Sequence, residues 1–270
     1  MNFIVNILSL GVPFSVALLI ASLGEMINQR AGIFNLGCEG IMAMGAFIGM
    51  LVPYAAGHGG QVPQIYNVLG IAAAMCAGAL MGIFFALPVV SFRSPQGIAG
   101  IGLQMFGVGT AGTLFRHFIG GTQSVQGIDS FPIPLLSKIP VLGQIFFSHN
   151  PLVYLAFLMV PLGWYILNKT PWGLAVRAAG THPRAADSIG IRVNLVRYQA
   201  LAAGGALAGL AGAYLSLCQA KMFSDSLIAG RGFIAVALVY FGHWNPARIM
   251  GGALLFSLAQ SFQLAIQGQG

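Results

Sequence analysis

Charged side chains are scarce in this chain of 270 residues, in which Asp, Glu, Lys and Arg together make up only 6%. Soluble domains carry about 25% charged residues, and a fold this poor in charge could not cover its surface against water. Hydrophobic residues reach 57%, and the mean hydropathy is +0.84. The composition therefore excludes an ordinary soluble domain and predicts an all-α, polytopic bundle of transmembrane helices. We expect residues 1–270 to form a single transmembrane domain without a separate soluble module.

Three further absences narrow the function. Cys38, Cys76 and Cys218 lie far apart in apolar stretches, which argues against a disulfide framework. Neither these cysteines nor the five scattered histidines have the spacing of metal ligands. The sequence contains no Gly-x-x-x-x-Gly-Lys-Ser/Thr, so it lacks a P-loop for ATP. We therefore expect no catalytic site, no metal and no cofactor bound by this chain itself.

Apolar runs recur along the whole chain. A spanning helix needs about 20 mostly apolar residues, and about eight candidates fit this description. The first is expected to be a retained helix and not a cleaved signal peptide, because no basic region precedes it. The seventh is short for a span, which favours either a re-entrant segment or an extension into its polar flanks. The predicted spans are 4–23, 32–51, 68–91, 97–118, 150–168, 197–218, 228–241 and 249–267.

The basic residues predict the orientation of the bundle. Lys and Arg concentrate in cytoplasmic loops, and the loop 169–198 holds the densest basic cluster, which places it in the cytoplasm. Alternation places the loops near Arg30, Arg93 and Arg248 on the same side and the N-terminus outside. The other segments expected outside hold His58, Lys138 and Lys221. The net charge of +7 reflects this bias in a protein surrounded by membrane lipid, and it gives no indication of nucleic acid as a partner.

Glycine is abundant, with 38 residues, and several glycines recur with a small residue four positions away. Such pairs let helix backbones approach closely, which is how helices associate where no hydrophobic force drives them together. We expect close packing above all for the run 204–212. The pairs are Gly45/Gly49, Gly78/Gly82, Gly205/Gly209 and Ala208/Gly212.

A few polar residues stand out in the predicted spans. Asn35 and Glu39 are spaced i, i+4, which would put both on one helix face. Since an ionisable group at membrane depth usually faces the bundle interior or water, they either border a polar path or hold a neighbouring helix or loop. Gln104 either lines a cavity or joins two helices. Glu25 and Arg30 flank the turn into the second span, which favours a local ion pair.

The basic loop contains a short predicted helix at about 182–189. Pro183 suits its first turn, where the missing N–H is not needed. Ala185 and Ala186 favour helix, and Gly190 marks its end. A small-residue helix with a few polar groups suits docking into the groove of a partner, and a solvated connector is the alternative.

Three motifs resemble those of one transporter superfamily. The run Gly180–Ile191 resembles the coupling segment of permeases from ATP-binding cassette (ABC) importers of branched-chain amino acids, ribose and nucleosides. The stretch Gly24–Gly40, which ends in Gly-x-Glu-Gly, is similar to the N-terminal motif of that family. Gly230–Ala235, followed by Phe241–Pro246, is most similar to the nucleoside branch. Family members usually continue into at least one more span after the helix that contains Gly251.

The resemblance implies a permease subunit of the bacterial cytoplasmic (inner) membrane that is not itself an enzyme. Two permease subunits, often paralogues and otherwise two copies, form the pathway. Two cytoplasmic ATPase subunits bind ATP with Mg²⁺ and contact the coupling helices, and an extracytoplasmic binding protein delivers the substrate. The residues that carry over as the ATPase contact are Gly180, Thr181, His182, Pro183, Arg184, Ala185, Ala186, Asp187 and Ser188. Those that carry over only as neighbours of the substrate pathway are Asn35, Glu39 and Gln104.

The resemblance favours nucleosides as the substrate and leaves branched-chain amino acids or a pentose as alternatives. A rival class is a secondary transporter that uses Glu39 as a proton or ion site, although this single Glu has no pairing partner. A passive channel would need repeated polar or charged rings along a pore, which the sequence does not contain. A structural subunit whose paralogue supplies the substrate contacts is the remaining alternative.

Overall fold

The computed structural model describes residues 2–58, 60–121, 123–129 and 148–267, and these residues form ten α-helices. Short π-helical turns at Leu87–Ser91 and Leu215–Gln219 extend α3 and α8. The helices are α1 Asn2–Arg30, α2 Cys38–Gly57, α3 Gln64–Ala86, α4 Gln96–Phe118, α5 Pro151–Lys169, α6 Pro171–Thr181, α7 Pro183–Ser188, α8 Val193–Tyr214, α9 Arg231–Phe241 and α10 Pro246–Gln267.

Seven of these helices are long and apolar enough to cross a membrane, namely α1 to α5, α8 and α10. They coincide with seven of the predicted spans, and the prediction of an all-α polytopic bundle is confirmed. The short predicted span 228–241 corresponds to α9, which has 11 residues. At 1.5 Å per residue α9 is about 16 Å long, which is only about half the thickness of a bilayer core.

Most of the arginines at helix ends gather at one end of the bundle, here called the basic end, whereas Arg116 in the last turn of α4 lies at the other end. The Arg30 guanidinium donates to the Trp244 carbonyl, and Arg197 donates to the Ala31 carbonyl. Lys221 lies at the opposite end, where its ammonium group pairs with Asp129 at 3.0 Å. The predicted grouping of the basic loops is therefore observed, while the predicted position of Lys138 lies outside the described residues.

Irregular backbone precedes α9 and runs inward from the opposite end. Met222 forms an isolated bridge with Ser124 at that end, whereas the Trp244 indole, just after α9, donates to Gln29 at the basic end. The intervening chain is partly buried: Phe223 and Ile228 are 3% and 4% exposed, whereas Ser224, Asp225, Ser226 and Ala229 are exposed. Non-helical backbone at membrane depth must be shielded from lipid, and Phe223 and Ile228 anchor this segment to the core.

Glycines allow α2, α3 and α8 to pack with their backbones in contact. A Cβ atom on Gly78 of α3 would overlap the carbonyl oxygen of Gly205 on α8. Gly45 of α2 meets the backbone of Gly209, and Gly212 meets the carbonyl of Met42, in the same way. The predicted close packing of the run 204–212 is confirmed, and it makes these three helices the tightest part of the bundle.

Replacing Gly78 with alanine tests this packing. The added methyl group would push α3 away from α8, so we expect the free energy of unfolding to fall by about 1–3 kcal/mol. Gly102→Ala on α4 is the matched control, because a Cβ there meets no atom within 4 Å. Thermal unfolding of the purified variants in detergent measures the difference, and equal stability of the two variants would contradict the packing.

Candidate coupling surface and membrane-depth site

The basic end carries the two short helices α6 and α7. The Thr170 hydroxyl accepts the Gly173 N–H at 3.1 Å and caps α6, and Pro171 occupies the first position. His182 interrupts the helix, and Pro183 begins α7. Gly190, with φ +88, follows α7 in a left-handed conformation that suits glycine. The helix predicted at about 182–189 is therefore present as Pro183–Ser188.

Most of the predicted ATPase contact faces away from the bundle. Gly180 and Pro183 are half-buried, and Ala186, at 3% exposure, packs into the core. The Ser188 hydroxyl donates to the Ala185 carbonyl within α7. The exposed residues are Thr181, His182, Arg184, Ala185, Asp187 and Ser188. A partner can therefore reach six of these nine positions, and Ala186 instead anchors α7 to the permease side.

The segment is fastened to the corner between α1 and α2. A Cβ on Gly180 would overlap the Arg30 carbonyl and approach the Gly32 backbone. The Arg197 guanidinium joins the same elements, because it donates to Ala31 at 3.2 Å and to the Ala179 carbonyl at 3.3 Å. α6 and α7 are therefore in direct contact with this corner.

A buried carboxylate, that of Glu25, organises the corner from inside. Glu25 is 1% exposed and accepts the Asn28 amide at 2.9 Å, the Gln29 amide at 3.3 Å and the Asn35 N–H at 3.0 Å. The predicted ion pair with Arg30 is wrong. α1 continues through Arg30, so Glu25 and Arg30 lie on one helix, five positions apart. Residues share a helix face when they are three or four positions apart, so these two side chains do not meet.

Glu39 caps the inner end of α9. Its carboxylate accepts the Gly230 N–H at 2.7 Å through Oε1 and the Gly232 N–H at 2.9 Å through Oε2. A carboxylate at a helix N-terminus satisfies unpaired N–H groups and complements the helix dipole. Glu39 also interacts electrostatically with Arg231, whose guanidinium donates to the Leu227 carbonyl at 2.9 Å.

Asn35 and Glu39 do not share a helix face, which corrects the interpretation drawn from their spacing. The chain is non-helical between Arg30 and the start of α2 at Cys38. In this stretch the side-chain oxygen Oδ1 of Asn35 accepts the Gly37 N–H at 2.9 Å. The i, i+4 argument fails because it assumes that the helix already includes both residues.

Gln104 lies on α4 beside this junction. A Cβ on Gly40 would lie 2.8 Å from the Gln104 Cα, so α2 and α4 are in backbone contact there. Gln104 is two turns from the start of α4 at Gln96, or about 12 Å into the bundle. The three predicted pathway residues are thus close in space, but Asn35 and Glu39 use their oxygens to hold backbone.

A cavity of about 330 Å³ opens where α9 begins. It lies between α1, α9 and α10, and its volume falls within the range of small-molecule sites. Its polar side chains are those of Arg231, Gln260 and Gln263, set among apolar residues such as Leu18 and Phe256. Amide and guanidinium groups can exchange hydrogen bonds with an uncharged polar solute.

Comparison with known proteins identifies the family. Residues 4–269 match the family described as branched-chain amino acid transport system / permease component. The chain belongs to this permease family. The match covers the segment 180–191, the Glu39 cap and α9 together, and it confirms the resemblance drawn from the three motifs.

Named relatives of the permease are subunits of ABC transporters. It is 38% identical to the guanosine ABC transporter permease protein NupQ of Bacillus subtilis (strain 168), over 97% of this chain and 84% of the relative. It is 35% identical to the putative glucose ABC transporter permease protein TsgC13 of Haloferax volcanii, over 99% and 79%. It is 36% identical to the nucleoside ABC transporter permease protein NupC of Lactococcus lactis subsp. cremoris, over 94% and 80%. No solved structure matches the permease.

The polar cavity beside α9 was not among the sites predicted from the sequence of the permease. Gln260 and Gln263 are spaced i, i+3 in an apolar span, which was a usable signal, because such a pair shares a helix face. Arg231 lay inside a recognised motif but was given no role. Arg231 lies beside the two glutamines because α9 begins inside the bundle, and no local sequence pattern predicts where α9 begins.

Proposed function

We propose that this chain is one of two permease subunits of an ATP-driven importer of nucleosides. The observation that carries the proposal is the exposed helix α7 at the basic end, fastened through Gly180 and Arg197 to the transmembrane corner. A permease without its own P-loop needs such a contact, because the energy of ATP must enter from another subunit.

A continuous set of contacts leads from α7 to the middle of the bundle. Gly180 contacts the corner between α1 and α2, and Glu25 in α1 holds the Asn35 N–H of that corner. Shortly after Asn35, α2 begins, and its Glu39 holds the first N–H groups of α9. When the ATPases bind ATP and draw together, α7 moves and the inner end of α9 moves with it.

Alternating access requires that this set of contacts between α7 and α9 has two arrangements, one in each state of the permease. ATP can shift the permease between outward-facing and inward-facing states only if the ATPases bind the two states differently. The cavity at Arg231, Gln260 and Gln263 is our proposed point of passage for the substrate. Asn35, Glu39 and Gln104 do not line it, and Glu39 adjoins it through the backbone of Gly230 and Gly232. Glu39 is a poor proton site for a secondary transporter, because both of its oxygens are occupied by backbone N–H groups.

Nucleosides are the proposed substrate because two of the three relatives are named for guanosine or nucleoside transport. A nucleoside is uncharged and rich in hydrogen-bonding groups, which suits a cavity lined by two amides and a guanidinium. We place the complex in the bacterial cytoplasmic membrane, with the basic end in the cytoplasm. A second permease subunit, two ATPases that bind ATP with Mg²⁺, and an extracytoplasmic binding protein complete it.

Uptake by the reconstituted complex tests the function. Proteoliposomes that contain both permeases, the ATPases and the binding protein should accumulate guanosine only when ATP is supplied on the ATPase side. Guanosine accumulation driven by a proton gradient without ATPase would overturn the importer proposal. ATP-dependent accumulation of glucose but not guanosine would overturn only the choice of substrate.

The same assay tests the proposed pathway with Gln260→Leu. The change removes a hydrogen-bonding amide from the cavity, so we expect kcat/KM for guanosine uptake to fall about tenfold. Gln267→Leu is the matched control, because Gln267 lies on the same helix α10 and is exposed outside the cavity. If both variants transport guanosine like the unmodified complex, the substrate does not pass this cavity.

A further inference from the structure

A second cavity, of about 700 Å³, lies at the basic end between α7, the start of α8 and the loop that joins α3 to α4. Gln96, Ser94 and Asn194 add neutral hydrogen-bonding groups to its wall. Four arginines contribute to the lining, and they come from three separate parts of the chain. They are Arg93, Arg184, Arg192 and Arg197.

The charge in this cavity is poorly balanced. Asp187 is the one acidic residue among the lining residues. The ion pairs found among residues 2–58, 60–121, 123–129 and 148–267 are Arg116–Asp225 and Lys221–Asp129, and both lie elsewhere. The Arg197 guanidinium is occupied by two backbone carbonyls. Three guanidinium groups therefore share one cavity without a carboxylate partner in the described part of the chain.

The wall of the cavity is held in place by the fold. The Gln96 side chain accepts the Phe34 N–H at 2.8 Å and donates to the Gly32 carbonyl at 3.3 Å, which ties the loop to the corner between α1 and α2. Arg93 has φ 55, a left-handed conformation that is uncommon for a residue with a Cβ. Backbone outliers of this kind concentrate at functional sites, and this one lies where the arginines meet.

We propose that this cavity binds a phosphate group, supplied either by an anionic phospholipid or by a soluble phosphate monoester. The planar guanidinium group of arginine can donate two parallel hydrogen bonds to the oxygens of a phosphate group. Several guanidinium groups around one phosphate bind it more strongly than a single positive charge does. Basic pockets between helices on the cytoplasmic side of a membrane are suited to anionic headgroups. The site borders the coupling surface and shares Arg184 and Asp187 with it, whereas Arg93 and Arg192 belong to the cavity alone.

The bound phosphate would link α7 to the α3–α4 loop through Arg184, Arg93 and Arg192. It would thereby hold the coupling helix against the transmembrane bundle and adjust how readily α7 follows the ATPases. This consequence rests on the proposed function, whereas binding of phosphate does not, since it is a property of this chain alone.

Binding is measured on the purified full-length chain without ATPase or substrate. In one arm, native mass spectrometry counts phosphatidylglycerol retained from mixed micelles that also contain phosphatidylcholine. In the other arm, calorimetry measures binding of guanosine monophosphate and of inorganic phosphate. Preferential retention of phosphatidylglycerol assigns the site to a lipid headgroup, and saturable binding in the second arm assigns it to a soluble phosphate.

Arg93→Gln combined with Arg192→Gln should weaken whichever binding is found by about tenfold or more, because each arginine near an anionic surface contributes about fivefold. Arg248→Gln is the matched control, since Arg248 is exposed at the same end and does not line the cavity. The single variants provide the same test if the double variant does not fold. Absence of binding in both arms, or equal loss in the control, would overturn the proposal, as would a carboxylate of the ATPase cross-linked inside the cavity.

Discussion

Replacing Glu39 with alanine is expected to lower the free energy of unfolding by about 3–6 kcal/mol, because two hydrogen bonds to a charged acceptor are lost together. The change would leave the N–H groups of Gly230, which is half-buried, and Gly232, which is buried, without their partner. It would also remove the negative charge that faces Arg231. Thermal unfolding in detergent, with size-exclusion chromatography of the folded fraction, measures the effect.

Two further variants separate the cap from a general effect of charge. Glu39→Gln keeps one acceptor oxygen, so its stability should lie between those of the parent chain and Glu39→Ala. Asp129→Asn removes a carboxylate whose side chain is 61% exposed and should change stability by less than about 1 kcal/mol. A Glu39→Ala protein as stable as Asp129→Asn would show that Glu39 does not hold α9.

Introducing a carboxylate on α7 with Ala185→Glu is expected to reduce substrate-stimulated ATP hydrolysis by the assembled complex more than tenfold. Ala185 is exposed, so the permease fold should be unaffected. In the proposed contact, however, the new charge would be buried without a partner, which costs several kcal/mol. The rate of ATP hydrolysis with and without substrate, measured in proteoliposomes, reports the loss.

Ala247→Glu is the matched control for this change. Ala247 is also an exposed alanine at the basic end, at the start of α10 and away from α7. Hydrolysis by the Ala247→Glu complex should remain close to that of the unmodified complex. Equal stimulation in the two variants would place the ATPase contact somewhere other than α7.

The long helices could be predicted because the backbone hydrogen bonds of each helix are made within a single apolar run. In lipid, the length of the run and the demand for internal hydrogen bonds leave few alternatives, which is why seven predicted spans coincide with helices. The short helix α7 was also predictable, since Pro183 and Gly190 mark its limits locally. Sequence spacing likewise located the glycine contacts, although not which helices they join.

The membrane-depth site was predictable only in part, because its contacts join distant segments. Glu39 stood out as an acid in an apolar run, but its partners Gly230 and Gly232 are almost two hundred positions away. Asn35 was placed on a helix because nothing in its neighbourhood shows that α2 begins at Cys38. Glu25 was predicted to pair with Arg30, because the sequence does not reveal that the Asn35 N–H donates to its carboxylate. Polar side chains that hydrogen-bond to non-helical backbone do not recur at a fixed spacing, so periodicity in the sequence does not reveal them.

Cross-linking from α7 tests the central claim most directly. With Cys38, Cys76 and Cys218 replaced, a cysteine introduced by Ala185→Cys should react with impermeant thiol reagents only from the cytoplasmic side. In the assembled complex a short bifunctional reagent should join it to an ATPase subunit, with a yield that changes when ATP is added. Labelling from the outer side, or an ATPase that is never captured from this position in an active complex, would contradict the account.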